Sequence, residues 1–280
     1  MLSRRQFLAA GAAAAAGAAV GAYTWGVEPH WVEVVRRQMP LAGLPPALAG
    51  RTLLHLSDIH VGPRVSSAYL IDALRTAAAL EPDFVAMTGD FVSYRTAHQY
   101  AELARVLRWA PRGRLGTVAA LGNHDYGDGW RHLDVADAVS SVVRDAGATV
   151  LRNRRAVLGG VQFAGLGDLW SPEFPAAPET LATLDRAVPT VVLCHNPDAL
   201  DRPIWDGVRG WVLAGHTHGG QCKPPFLPPP ILPVQNKRYS AGAIDVGPGR
   251  TLYINRGLGH LYQVRFNARP ELTLFTLERG

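Results

Sequence analysis

Cysteine is almost missing from this chain of 280 residues: Cys194 and Cys222 are the whole supply. Two thiols exclude a fold stapled by a disulfide framework and a metal cage built from thiolates. Whether the two pair depends on a Cα separation that sequence leaves open. Lysine is nearly as scarce, with only Lys223 and Lys237. Also missing are runs of like charge and basic stretches interleaved with aromatics, so a net charge of +5 does not indicate a nucleic-acid partner. There is no internal repeat and no linker long enough to separate independent domains. What is present, 48% hydrophobic and 18% charged residues, describes a globular protein with a sizeable core.

The N-terminus "MLSRRQFLAAGAAAAAGAAVGAYTWG" has two adjacent arginines and then an uncharged apolar tract from Phe7 to Trp25. That is the layout of a secretory signal, and Ser3-Arg4-Arg5-Gln6-Phe7-Leu8 resembles the twin-arginine export motif. Residues 1–25 are therefore predicted to be a signal peptide or membrane anchor, and 26–280 a single domain. Partners implied are the twin-arginine export machinery and, if the tract is kept, a membrane. Val20-Gly21-Ala22 offers the small residues of a cleavage site.

Period and punctuation predict alternating elements: strands in "WVEVVRR", "RTLLHLS", "DFVAMTG" and "TVAALGNHD", with helices over 66–80, 96–109 and 132–146. The second half is richer in strands, with apolar runs at 161–166, 189–195, 210–215, 251–255 and 271–277. This order predicts an α/β fold with two packed sheets. "PPFLPPPILP" (224–233) is too rich in proline for helix or central strand and reads as an extended surface loop, stapled to its domain or forming an apolar rim.

Five apolar runs end in polar side chains: Asp58-Ile59-His60, Gly89-Asp90, Gly122-Asn123-His124-Asp125, His195-Asn196 and Gly215-His216-Thr217-His218. In open α/β sheets, side chains at the carboxyl ends of strands converge on ligands. Asp58, His60, Asp90, Asn123, His195, His216 and His218 are seven oxygen or nitrogen donors, too many for one tetrahedral ion and suited to two. Without thiolate, the set favours Mn, Fe, Zn or Co. Alternation along extended backbone would aim Asp58 and His60 at one ion and His216 and His218 at neighbouring ions. Asp90, alone at its strand end, is the candidate bridge. Gly215, Gly219 and Gly220 would let the backbone turn closely around the pair.

These motifs, in this order, resemble the calcineurin-like metallophosphoesterases, from about residue 30 to the C-terminus. The resemblance implies a four-layer αββα sandwich of two mixed β-sheets flanked by helices, the metallo-dependent phosphatase fold. It implies Asp58, His60 and His218 on one divalent metal, Asn123, His195 and His216 on the second, and Asp90 between them, with Mn, Fe or Zn as cofactor. The likeness is greatest to the exported bacterial branch, which includes phosphodiesterases.

The expected activity is hydrolysis of a phosphate ester outside the cytoplasm (periplasm, envelope or secreted), by attack of hydroxide bridging the ions. His124 is expected to donate a proton to the leaving group, with Asp125 holding its imidazole. Arg256 is a candidate contact for a phosphate oxygen or a structural ion pair, and Asp168 a support for a ligand histidine or a cap. Alternatives are a UDP-2,3-diacylglucosamine-type pyrophosphate hydrolase, a phosphomonoesterase and a scaffold without catalysis; the complete motif set argues against the last.

Overall fold

The computed structural model describes residues 3–94 and 96–280; Met1 and Leu2 of the predicted leader lie outside the described residues. Ser3 opens the first helix, α1 (Arg4–Ala22), with a reciprocal cap in which its hydroxyl accepts from Gln6 N and Gln6 Oε1 accepts from Ser3 N. Helical backbone continues through a wide turn at Tyr23–Val27 to His30. The 27 residues from Arg4 to His30 are long and apolar enough to cross a membrane, by length and composition. No side chain of α1 is buried. The stretch that follows it is fastened to the rest: Thr24 O accepts from Arg265 N, and the buried Glu28 carboxylate accepts from Ala268 N.

Next come β1 (Glu33–Leu41), β2 (Thr52–Leu56), α2 (Ser67–Ala78), β3 (Phe84–Met87), α3 (Ala97–Leu107), β4 (Gly116–Ala119) and α4 (Leu133–Asp145). The buried positions of α2, Leu70, Ala73, Leu74 and Ala77, have the spacing of one helical face. Pro82 just past α2 blocks any continuation. The second half holds β5 (Thr149–Val150), β6 (Arg154–Leu158), β7 (Val161–Gly165), α5 (Ala177–Ala182), β8 (Thr190–Leu193), β9 (Gly210–Ala214), β10 (Gly242–Asp245), β11 (Arg250–Ile254) and β12 (Glu271–Arg279). Three of these, β5, β6 and β10, are strands the sequence pattern did not reveal. They are short or half-exposed edge elements without an apolar run.

Two mixed six-stranded sheets result, in the orders β1-β12-β2-β3-β4-β5 and β10-β11-β9-β8-β7-β6. β2, β3, β4 and β5 run parallel, as do β11, β9, β8 and β7, while β12 against β2 and the edge strands β10 and β6 against their neighbours pair antiparallel. Between the sheets lies an apolar layer containing Phe84, Phe163, Leu193, Leu213 and Phe275. Helices α2, α3 and α4 cover the outside of the first sheet through Leu74, Leu103 and Val139. Shorter pieces, α5 and the turns around Trp205, cover the second. Each such leucine or phenylalanine withdrawn from water contributes about 1.5–3 kcal/mol. This is the two-sheet α/β sandwich that the sequence predicts. It sets the exits of β2, β3 and β4 against those of β8 and β9.

Candidate metal centre

All seven predicted donors sit just beyond those five exits. Asp58 and His60 follow β2, Asp90 follows β3, Asn123 follows β4, His195 follows β8, and His216 and His218 follow β9. All are buried.

Convergence does not arise from extended alternation, as the spacing suggested. Asp58 (φ 51°), His60 (51°), Asp90 (55°), His216 (70°) and His218 (50°) all take left-handed backbone. For a residue with a Cβ this costs ~1–2 kcal/mol each, so five together approach the net stability of a domain, ~5–15 kcal/mol. Backbone hydrogen bonds between loops hold the strain in place. Asp58 N donates to Gly89 O, His60 N to Asp90 O and Gly259 N to Asp58 O. Gly215 lets the last loop close in: a Cβ there would collide with Ser57 Oγ and the Asp58 carboxylate. His216 N donates to both oxygens of that carboxylate at 3.1 Å.

The donors form two trios, Asp58-His60-His218 and Asp90-His195-His216, and within each the ligand atoms lie no more than 4.8 Å apart. His60 Nε2 is 3.2 Å from His218 Nε2, and Asp58 Oδ1 is 3.3 Å from the latter. Asp90 Oδ2 lies between the trios, 3.2 Å from His195 Nε2 and 3.5 Å from His60 Nε2. Backbone carbonyls orient three of the rings. His195 Nδ1 donates to Thr88 O at 2.7 Å, His216 Nε2 to Pro233 O at 2.9 Å and His218 Nδ1 to Gly259 O at 3.2 Å. In His216 and His218 the opposite nitrogen is left to face the centre with a lone pair, and in His195 it faces the Asp90 carboxylate. The proline-rich loop thus ends by orienting His216 through Pro233.

The electrostatics favour ionised carboxylates. Burial pushes Asp58 and Asp90 up, but the surrounding histidines outweigh it and hold both well below the ordinary carboxylate range. Burial lowers His216 to about 3 and takes His60 well below 6.5, keeping both imidazoles neutral. Burial works against a charged His195 as well, but Asp90 and Asp58 outweigh it and hold that group high. Asn123 Oδ1 is buried without a hydrogen-bond partner among the described residues. Polar atoms left in this state need a ligand. Oxygen and imidazole donors in two trios, with a carboxylate between them, fit two divalent cations.

His124 lies beside the centre, its ring 5.1 Å from that of His60 and its Nδ1 3.2 Å from Ser93 O. Its expected partner is not there. The Asp125 carboxylate instead accepts from Asp90 N, Phe91 N, Val92 N and Gly122 N at 2.8–3.2 Å. Asp125 clamps the loop that carries Asp90, because on this tight turn its side chain points back under the loop. Burial and the Asp90 charge push its carboxyl up to about 8, against the pull of those N–H groups.

Arg256 is not placed to meet a phosphate: its guanidinium is held by Glu271 at 2.6 Å and Glu33 at 2.7 Å. Asp168 caps its own turn by accepting from Trp170 N at 2.9 Å and makes no hydrogen bond to a ligand histidine. Cys194 and Cys222 are both free, the first buried in the core and the second half-buried.

A cleft of about 550 Å³ opens over the trios. Trp130 and Trp170 form one wall, stacked at 4.5 Å, with Trp170 edge-on to His216 at 4.6 Å. Pro230, Ile231, Leu261, Tyr262 and Val264 form much of the rest. Sequence reasoning missed the tryptophans, although Trp170 follows the exit of β7. It also missed Arg265, fully buried, whose guanidinium donates to the carbonyls of Ala268, Arg256, Gly257 and Gly259 at 2.7–3.2 Å. Gly259 O is the group that orients His218.

Residues 51–220 match the family model described as calcineurin-like phosphoesterase. Over its length the chain is similar to phosphodiesterase YaeI of Escherichia coli, at 35% identity across 99% of this chain and 100% of that one. It is similar to the metallophosphoesterase YkuE of Bacillus subtilis at 31%, covering 99% and 98%. UDP-2,3-diacylglucosamine pyrophosphatase LpxG of Chlamydia trachomatis is 25% identical, covering 89% and 90%.

Proposed function

We propose, for a chain that belongs to the calcineurin-like phosphoesterase family of metal-dependent phosphoester hydrolases, that the reaction is hydrolysis of a phosphodiester outside the cytoplasm. The observation that carries this reading is the pair of buried donor trios joined by Asp90. In the proposal Asp58, His60 and His218 hold one divalent ion and Asn123, His195 and His216 the other, with Asp90 shared; Mn, Fe and Zn all suit these donors. When bound, the ions neutralise the phosphate and acidify water, the usual contribution of paired metals to such displacements.

The protein's own groups do the rest. His124 is anchored through Nδ1 on Ser93 O, which leaves Nε2 toward the cleft to give a proton to the departing oxygen. A positioned acid of this kind contributes ~10²–10⁴-fold. Asp125 keeps the Asp90 loop fixed through its backbone contacts. Trp130 and Trp170 exclude water from one side of the reacting phosphate. The likeness to YaeI supports a diester. Residues 1–25 serve as a twin-arginine signal or retained anchor, and 26–280 as the catalytic domain.

A second reading, hydrolysis of a pyrophosphate link in a UDP-acylglucosamine, draws on the likeness to LpxG and on the apolar wall of the cleft. A substrate panel with Mn²⁺ or Zn²⁺ separates them. Turnover of bis(p-nitrophenyl) phosphate above p-nitrophenyl phosphate supports the diester, and turnover of UDP-2,3-diacylglucosamine alone overturns it.

A further inference from the structure

The proline-rich loop does not fold its apolar side chains away. Phe226 is fully exposed, Ile231 is 78% exposed and Leu227 60%. Six of the ten residues from 224 to 233 are proline, so the segment is stiff and loses little entropy in presenting them. Phe226 even takes left-handed backbone (φ 64°), an unfavourable state for a bulky residue. The loop's end is tied down: Leu232 is buried, Lys237 Nζ donates to Leu232 O at 3.0 Å, and Asp198 accepts from Gln235 N at 2.6 Å. The exposed side chains are therefore held outward by a fixed base. Across the cleft Tyr262, 68% exposed, continues the apolar lip.

Segment 261–266 connects this lip to the N-terminal helix. Tyr262 and Val264 line the cleft, while the alternate residues grip the end of the helix: Gln263 Nε2 donates to Trp25 O at 3.0 Å and Arg265 N to Thr24 O at 3.0 Å. An apolar helix with no buried side chain thus leaves the domain beside the mouth of the cleft. Around that junction Trp25 and Trp31 are exposed, Arg269 covers the Trp31 ring at 4.0 Å and Arg64 the Tyr262 ring at 5.2 Å. Exposed Trp and Tyr with arginine beside them, next to an apolar helix, are the composition of a membrane–water interface with anionic headgroups.

We propose that the mouth of the cleft lies at a lipid bilayer surface, with Phe226, Leu227, Ile231 and Tyr262 seated among acyl chains, and that the phosphoester hydrolysed carries an apolar chain entering from that side. The substrate half rests on the phosphodiesterase reading above; the docking half does not. The retained helix and the lip act as two membrane contacts on one face, which is what stable attachment of an otherwise globular domain requires.

The test uses the full chain carrying Cys222→Ser, with buried Cys194 left in place. An environment-sensitive NBD label is attached at Leu227→Cys or, as control, at Val157→Cys on the edge strand β6. Both proteins are reconstituted into phosphatidylethanolamine–phosphatidylglycerol vesicles. Emission at 227 shifts to the blue and brightens while emission at 157 stays as in buffer. A water-like signal at both positions overturns the docking surface and leaves the lip to a protein partner.

In parallel, Phe226→Ser/Leu227→Ser is assayed with Mn²⁺ on bis(p-nitrophenyl) phosphate and on dodecyl p-nitrophenyl phosphate presented in vesicles. The variant keeps the soluble rate and loses ~10-fold or more on the alkyl diester. Equal retention on both overturns the substrate half. A wild-type chain inert on both diesters overturns the phosphodiesterase reading and the substrate half with it, while the label decides docking independently.

Discussion

His60 Nε2 and His218 Nε2 face each other across 3.2 Å. His218 gives its other nitrogen to Gly259 O, so the atom facing His60 presents a lone pair. Asp58 Oδ1 completes the triangle at 3.3 Å. Three ligand atoms this close together in a buried site suit one cation among them, and the left-handed backbone at Asp58, His60 and His218 holds them in that arrangement.

Removal of metal is expected to weaken the fold as well as the activity. Ions that bind only the folded chain stabilise it by ~3–4 kcal/mol at 100–1,000 times their Kd. For a chain of this size that corresponds to roughly 5–15 °C. Differential scanning fluorimetry with and without EDTA checks this, and Mn²⁺ should restore the lost Tm.

Gly215→Ala places a Cβ against Ser57 Oγ and the Asp58 carboxylate. Displacement of Asp58 by even ~1 Å predicts about a 10²-fold fall in kcat/KM. Overpacking predicts a stability loss of ~1–3 kcal/mol. Kinetics and urea denaturation on the same preparation measure both.

Arg265→Met leaves four buried carbonyls without their charged donor. The expected loss is at least ~1–3 kcal/mol, the cost of leaving a buried acceptor unsatisfied, and Arg265→Lys should recover part of it. Since Gly259 O is one of the four, the methionine variant should also bind metal more weakly, measured by Mn²⁺ titration.

His124→Ala should leave metal content unchanged and lower kcat on an aryl diester. The effect should grow with the pKa of the leaving phenol, because a poor leaving group depends more on the proton. A rate equal to wild type across leaving groups would assign the acid role elsewhere.

Acid should destabilise the fold through His55, which is buried, bonded to Thr88 Oγ1 at 2.8 Å and lowered to about 3 by burial. Its unfolded value is ~6.5, so between the two the unfolded chain binds the extra proton and stability falls as pH falls. From pH 7 to pH 5 this residue alone accounts for ~2 kcal/mol. Thermal melts of wild type and His55→Gln over that range should show a shallower acid limb in the variant.

The strand exits were legible because polar residues at the ends of apolar runs are conspicuous against a buried parallel sheet, and their order carried the family. The backbone that makes Asp58, His60, His216 and His218 converge was not legible. Left-handed torsion at non-glycine residues has no local signature, and two-residue spacing suggested ordinary alternation instead. Asp125 differs from its expected role for a related reason: adjacency to His124 implies a contact, whereas the turn directs it to four backbone N–H groups. Arg256 has the look of a phosphate contact in the sequence because its partners, Glu33 and Glu271, lie on distant strands that only the fold brings together. Carbonyl partners such as Thr88 O and Pro233 O carry no side-chain code at all.

The most direct test of a two-ion centre shared through Asp90 is metal stoichiometry, read by mass spectrometric elemental analysis after saturation with Mn²⁺ and gel filtration. The wild-type chain should retain two ions, and Asp90→Asn, which weakens the group between the trios, fewer than two. One ion or none in the wild type, or two undiminished in Asp90→Asn, would contradict the account.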